Sequence, residues 1–143
     1  MKISIASDHG GFLLKEELKD YLTSLGHEIV DCGTNSLESC DYPDYVIPTA
    51  KAVANGEFDR GVVVCGTGLG VSMTANKVHG IRCAVCHDTF SAKATRQHND
   101  ANMLAMGGRI IDDETAMAIT EAFIDTEFEG GRHQRRIDKI EEA

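Results

Sequence analysis

The chain has 143 residues, 42% of them hydrophobic and 26% charged, with a formal net charge of −9. That length suits one domain with one ordinary core, and the acidic balance disfavours nucleic acid as a principal partner, since a phosphate backbone calls for a basic face. No apolar run approaches the length of a membrane span, and Met1-Lys2 opens directly into a strand pattern without a signal-peptide core, so a cytoplasmic protein with no membrane partner is expected.

Apolar strand-like runs alternate with amphipathic helical patterns along the chain. Lys2–Ala6 reads as a first strand. Phe12, Leu14, Leu18, Tyr21, Leu22 and Leu25 then keep helical spacing until Gly26, a natural C-terminal stop. His27–Asp31 is a short second strand. Pro43 opens a helix in which Val46, Ala50, Val53 and Ala54 share a face, and Asn55-Gly56 ends it. Gly61–Cys65, Ile81–Cys86 and Asn102–Met106 are the remaining strands, joined by helical patterns over Val71–Lys77 and Thr89–His98. Thr115, Ala118, Ile119, Ala122 and Phe123 mark a long helix, with Asp112 and Asp113 near its start. This alternation predicts an α/β fold: one doubly wound, Rossmann-like sheet of about five parallel strands with helices on both faces, three layers in a single domain over residues 1–143.

In such sheets ligands sit beyond the C-terminal strand ends. Asp8-His9-Gly10-Gly11, Cys65-Gly66-Thr67-Gly68 and Gly107-Gly108-Arg109 all follow strands, so three polar, glycine-bearing loops on one edge are expected to make a pocket. The basic segment from Glu129 onward stands out from the acidic background. A helix beginning at Arg132 would set Arg132 and Arg136 side by side at i, i+4, a spacing suited to a phosphate, while Ile137 and Ile140 dock it.

The most informative stretch is Gly61–Gly70, a buried strand that ends in Cys65 and a glycine-rich loop. Gly66, Gly68 and Gly70 let backbone N–H groups approach a ligand, and a short helix after them adds positive potential that favours a thiolate. The loop is neither a dinucleotide fingerprint nor a phosphate-binding loop ending in Gly-Lys-Ser/Thr. It is no phosphatase loop either, because Val71 stands where the arginine is required. The five cysteines (Cys32, Cys40, Cys65, Cys83, Cys86) do not suggest a disulfide framework. Cys83-Ala84-Val85-Cys86-His87 spells a haem attachment, yet residues three apart on a strand face opposite ways, so both cysteines read as core. No cluster has metal-ligand spacing, and no cofactor is expected. His27, His79 and His87 read as surface or structural residues, and His133 is left open. A thiol, backbone donors, an arginine pair, and His9 and His98 in loop positions suit proton transfer at a carbon next to a carbonyl of a sugar phosphate.

Asp8-His9-Gly10-Gly11, Asp41-Tyr42-Pro43, Cys65-Gly66-Thr67-Gly68-Leu69-Gly70, Ala75-Asn76-Lys77, Arg96-Gln97-His98-Asn99-Asp100-Ala101-Asn102 and Glu129-Gly130-Gly131-Arg132-His133 together resemble the sugar-phosphate isomerases of the RpiB/LacAB family, nearest its type B ribose-5-phosphate isomerases. The resemblance runs through essentially the whole chain. It implies a metal-free aldose–ketose isomerase of the non-oxidative pentose phosphate pathway, interconverting D-ribose 5-phosphate and D-ribulose 5-phosphate. It also implies a role for each matched residue. Cys65 is the base between C2 and C1, and the amides from Gly66 through Gly68 and Leu69 to Gly70 hold the enediolate, oriented by Thr67. His98 opens the furanose ring with help from Asp8. Asn99 binds substrate hydroxyls. His9, Arg132 and Arg136 hold the phosphate, Arg109 is a further substrate contact, and Tyr42 lines the pocket. Some members replace the cysteine by a glutamate beyond the loop; Cys65 together with Ala75 places this chain in the cysteine type. Members form homodimers, often paired into tetramers, with active sites shared between subunits. The alternatives are a 6-phosphohexose (allose or galactose 6-phosphate) isomerase of the same family, or a non-catalytic sugar-phosphate binder on the same fold.

Overall fold

Residues 1–143 are described by the computed structural model, and their elements follow the expected order: β1 (Lys2–Ser7), α1 (Phe12–Ser24), β2 (Glu28–Asp31), α2 (Tyr42–Ala54), β3 (Arg60–Cys65), α3 (Leu69–Asn76), β4 (Cys83–Val85), α4 (Thr89–Asn99), β5 (Met103–Gly107), α5 (Asp113–Asp125) and α6 (Arg132–Glu141). The sheet order is β2-β1-β3-β5-β4, with every pairing parallel. From β1 the chain first moves outward to β2, then crosses to β3 and on to β4 before returning to β5. Right-handed crossovers therefore place α1 and α4 on one face and α2 and α3 on the other.

The packing follows this winding. One core cluster joins Ile3, Ile5, Val62, Val64, Leu104 and Met106 to α1, α4 and α5 through residues such as Leu18, Ala92 and Phe123. The other joins Ala6, Val63, Met103 and Ala105 to α2 and α3 through Val46, Ala50, Val71 and Ala75. Strand residues alternate between the clusters with period two, as both-face burial requires. Cys86 belongs to the first cluster and Cys83 packs on the second, so the two face opposite ways as expected.

Several boundaries and faces differ from expectation. β4 is only Cys83–Val85, not Ile81–Cys86. α3 begins at Leu69 rather than Val71, because Gly68 takes a left-handed φ of 80° and turns the chain straight into the helix. His98 lies in the last turn of α4, not in a loop. On α5 the buried stripe runs through Ala116, Ile119, Thr120, Phe123 and Ile124, leaving Ala118 exposed. α6 does start at Arg132 and docks through His133 and Ile137, but Ile140 is 53% exposed and does not anchor it.

Lys15 is a fully buried side chain of α1. Its Nζ pairs with Asp31 Oδ2 at 2.6 Å and Glu16 Oε1 at 2.9 Å, while Lys19 reaches the same two carboxylates at 2.7 and 3.0 Å. The network ties α1 to edge strand β2. Burial acts against the Asp31 carboxylate, but the two lysines and the Gly33 amide outweigh it and hold its pKa below the usual range. The unfolded chain then binds this proton more readily than the folded one. Asp31 therefore contributes stability in full above the ordinary carboxylate range, and that contribution is lost as pH falls through its folded-state value. Asp31→Ala, leaving Glu16 as the remaining partner of Lys15, is expected to cost about 2–3 kcal/mol at pH 7. In urea unfolding the difference from the wild type should shrink on acidification toward pH 3.

Candidate active site

At the C-terminal edge of the sheet, the loops after β1, β3 and β5 meet. Asp8 Oδ1 accepts the N–H groups of Gly10 at 2.9 Å and Gly11 at 3.1 Å, closing the first loop tightly over the second. A Cβ on Gly11 would lie 2.4 Å from the Val64 carbonyl oxygen, so only glycine lets this turn pack on β3. Cys65 ends β3 and is 5% exposed. Its Sγ accepts the N–H of Gly68 at 3.1 Å, and Gly68 itself is hemmed in, with a Cβ there falling 2.9 Å from the Met106 carbonyl carbon. The first-turn amides of Gly70 and Val71 donate to no group of the chain, which is the unpaired-donor pattern of a helix N-terminus. Thr67 is exposed and its hydroxyl accepts the Leu69 N–H at 3.3 Å. Here a sulfur, free amides and a helix start converge, the combination that stabilises a developing oxyanion.

Other residues on this edge frame the thiol. The Tyr42 ring lies against Gly70, where a Cβ would come within 2.6 Å of its Cζ. Arg109 donates its backbone N–H to the Gly66 carbonyl at 3.0 Å. Its guanidinium passes over Gly66 and Gly10, close enough that Cβ atoms there would meet it at 3.0 and 3.4 Å. His9 Nδ1 accepts the Cys40 N–H at 3.2 Å. The neutral ring must then carry its proton on Nε2, which is left as a donor. Asp8, His9, Tyr42, Cys65, Thr67, the amides from Gly66 to Gly70, and Arg109 are thus gathered on one edge of one chain.

His98, Asn99, Arg132 and Arg136 are not among them. α4 starts beyond the C-terminal end of β4 and runs back to the start of β5, so its last turn lies at the opposite edge. Arg82, just before β4, confirms the placement by donating to the carbonyls of Asn99 at 2.9 Å and Asp100 at 2.8 Å. The five residues of β5 at about 3.3 Å each set the two edges roughly 15 Å apart. The pocket expected from the three glycine-bearing loops is therefore present on one edge, while the residues of α4 and α6 that the resemblance adds to the site lie at the other edge of the same chain.

The second half-site is built by α4 and α6. The His98 and His133 rings stack with centroids 4.6 Å apart and planes at 23°. Each points Nε2 at Glu129 Oε1, at 3.6 and 3.9 Å respectively. His133 is 8% exposed. Burial, followed by the neighbouring Arg132 and His98 charges, holds its pKa below the usual imidazole value, so it is neutral at pH 7. Sequence reasoning left His133 open. Its signal was the i, i+4 pair with Ile137, the only inward stripe of an otherwise charged helix. His98, Glu129 and His133 also place three possible metal-ligand atoms within 4.8 Å. Arg132 and Arg136, which flank His133 on α6, turn the local field toward an anion instead.

Two further thiols, Cys83 and Cys86, read as inert. Burial pushes the Cys86 thiol up to about 11 and Cys83 higher still. A cleft of about 610 Å³ lies between α3, β4, α4 and α6 and is lined by Arg82, Asn99 and Ile140 among others. It contains neither Cys65 nor the glycine loop. No helix is long and apolar enough to cross a membrane.

The chain matches the family model described as Ribose/Galactose Isomerase over residues 3–140. It is 48% identical to ribose-5-phosphate isomerase B of Escherichia coli, covering 97% of this chain and 93% of that protein. With a putative sugar phosphate isomerase of Bacillus subtilis, YwlF, it shares 55% identity over 98% of this chain and 95% of the relative. Among solved structures, ribose-5-phosphate isomerase B of Clostridium thermocellum superposes with a TM-score of 0.98 at 52% identity, covering 99% and 96% of the two chains. The Mycoplasma genitalium ribose-5-phosphate isomerase B, solved with bound ribulose-5-phosphate, gives 0.93 at 42% identity, covering 99% and 94%. With the five-stranded parallel sheet and the Cys65 loop at its switch point, this agreement along the whole length makes the chain a member of the ribose/galactose isomerase family.

Proposed function

We propose that this protein interconverts D-ribose 5-phosphate and D-ribulose 5-phosphate through an enediolate, without a metal, in sites formed between two copies of the chain. The observation that carries this reading is Cys65 set among unpaired amides at one sheet edge, with the His98 and arginine half-site at the other. The similarity to named ribose-5-phosphate isomerases supplies the substrate.

The steps follow from the chemistry of these groups. His9 of one chain, with Arg132 and Arg136 of another, binds the 5-phosphate. His98 donates a proton to the ring oxygen while Asp8 assists removal of the anomeric hydroxyl proton, which leaves the open-chain aldehyde. Cys65 thiolate takes the C2 proton, and the electron pair moves into a C1–C2 double bond as charge grows on O1. The amides from Gly66 to Gly70 hold that oxygen, with Thr67 and Arg109 beside it. The same thiol returns its proton to C1, the hydroxyl proton passes from O2 to O1, and the ketose forms. Asn99 and Tyr42 hold the sugar hydroxyls and the pocket wall.

A homodimer or a dimer of dimers follows from this division, since one chain cannot bring His98 to its own Cys65. A cytoplasmic location suits an enzyme that works with a thiolate. Residues 1–143 act as one domain, and the basic segment from 129 completes the phosphate site.

The test is ketose formation from ribose 5-phosphate with EDTA present. The wild type should turn over and Cys65→Ala should lose at least about a thousandfold in kcat, the scale of losing both a base and its positioning. No turnover by folded wild type would shift the assignment to a 6-phosphohexose substrate. His98→Gln separates ring opening from isomerisation. It should lose ribose 5-phosphate turnover yet retain activity on a four-carbon aldose 4-phosphate, which has no free hydroxyl to close a five-membered ring. Equal loss on both substrates would remove the ring-opening role.

A further inference from the structure

The end of α4 is held in an unusual way. Asp100, directly after His98-Asn99, has a φ of 45° and is the only non-glycine residue with positive φ. Asp is one of the few residues with a Cβ that visit this conformation, at a cost its surroundings must offset. Two arginines do so. Arg96, within α4, places Nη1 2.7 Å from both Asp100 Oδ1 and the Ala101 carbonyl, and its Nε on the Thr126 carbonyl at 3.1 Å. Arg82 comes from outside the helix. Its Nε and Nη2 fork onto the successive carbonyls of Asn99 and Asp100 at 2.9 and 2.8 Å, and its Nη1 binds Glu141 Oε1 at 2.7 Å near the end of α6.

We propose that Arg82 is a positioning residue, a strut that fixes the His98–Asn99 turn of α4 against α6 so that the acid and the phosphate-binding arginines move as one unit. The inference rests on the functional reading above. Arg82 touches no reacting atom. It satisfies two of the carbonyls left over at a helix C-terminus with a charge that suits them, and its side chain is only 17% exposed, so water does not readily replace these bonds. The dependence of His98 on this turn is direct. Its ring is 47% exposed and is held by the Glu129 carboxylate at 3.6 Å and the His133 stack without a close hydrogen bond, so its aim depends on the backbone beneath it. The planar fork matters, because a lysine ammonium is a single point and cannot hold two carbonyls and a carboxylate in fixed directions.

A purely structural cap would lower stability and leave kcat and KM of the folded enzyme unchanged. A strut predicts a split. Arg82→Ala should lower kcat on ribose 5-phosphate ten- to about a hundredfold, the scale expected when a catalytic group shifts by about 1 Å, and Arg82→Lys should recover little of it. Glu141→Gln, which loosens only the link to α6, should raise KM several-fold with kcat within twofold. Ethylguanidinium at millimolar concentration should restore Arg82→Ala in a saturable manner. Independently of turnover, Arg82→Ala should shift the imidazole NMR signals of His98 and His133. Folded Arg82→Ala with kcat, KM and both imidazole signals unchanged would overturn the proposal, as would an activity loss matched by the unfolded fraction with no rescue. A wild type inactive on ribose 5-phosphate would instead defeat the functional reading, and the imidazole shifts would still decide the strut.

Discussion

The constraint on which the site depends is the direction of a crossover helix. A helix joining two parallel strands must run antiparallel to them, so whatever lies in its last turn is delivered to the edge opposite the strand ends. α4 obeys this, and His98 lands at the far edge from Cys65. Cys65 therefore sits where strands end and His98 where strands begin. No local adjustment brings them together, because the sheet between them is packed on both faces. On the proposed reading, a second copy of the chain is then part of the active site itself.

The two half-sites use different physics to prepare their groups. Around Cys65 the work is done by backbone: a left-handed Gly68, a helix start and amides with no other partner. These dipoles are fixed by the fold and need no reorganisation when charge develops on the substrate. Around His98 the work is done by side chains on two basic helices, α4 and α6, of an acidic protein. Arg132 and Arg136 make an anion-attracting patch, Glu129 faces both imidazoles, and the half-buried stack restricts how the rings turn. An open, side-chain-built half-site of this kind depends on its supports, which is why the arginines beneath α4 matter.

What could be read from the sequence was local. Hydrophobic periodicity found every strand and helix to within two residues at most ends, and the Cys65 loop was readable because nucleophile, glycines and helix start are contiguous. The features that escaped depend on tertiary contact. His133 is an ordinary residue between two arginines until α6 docks on α4 and sets it against His98. Ile140 looked like an anchor by spacing, yet the docking face stops at Ile137 and leaves it 53% exposed. Lys15 carries no sign that it will be fully buried, since Asp31 is supplied from another element. Arg82 stands 17 residues from the carbonyl of Asn99 that it holds. The separation of His98 from Cys65 could in principle have been drawn from the predicted alternation of elements, but spacing along the chain says nothing about which edge a residue reaches.

The claim that two copies build each site is tested most directly by mixing Cys65→Ala and His98→Ala proteins in equal amounts after dissociation and reassembly. Each variant alone is close to inactive. In a mixed dimer one site receives both intact residues and the other neither, so random reassortment under two-fold symmetry should recover roughly a quarter of wild-type turnover. A mixture shown by native mass spectrometry to contain the mixed dimer, yet no more active than either parent, would contradict the account.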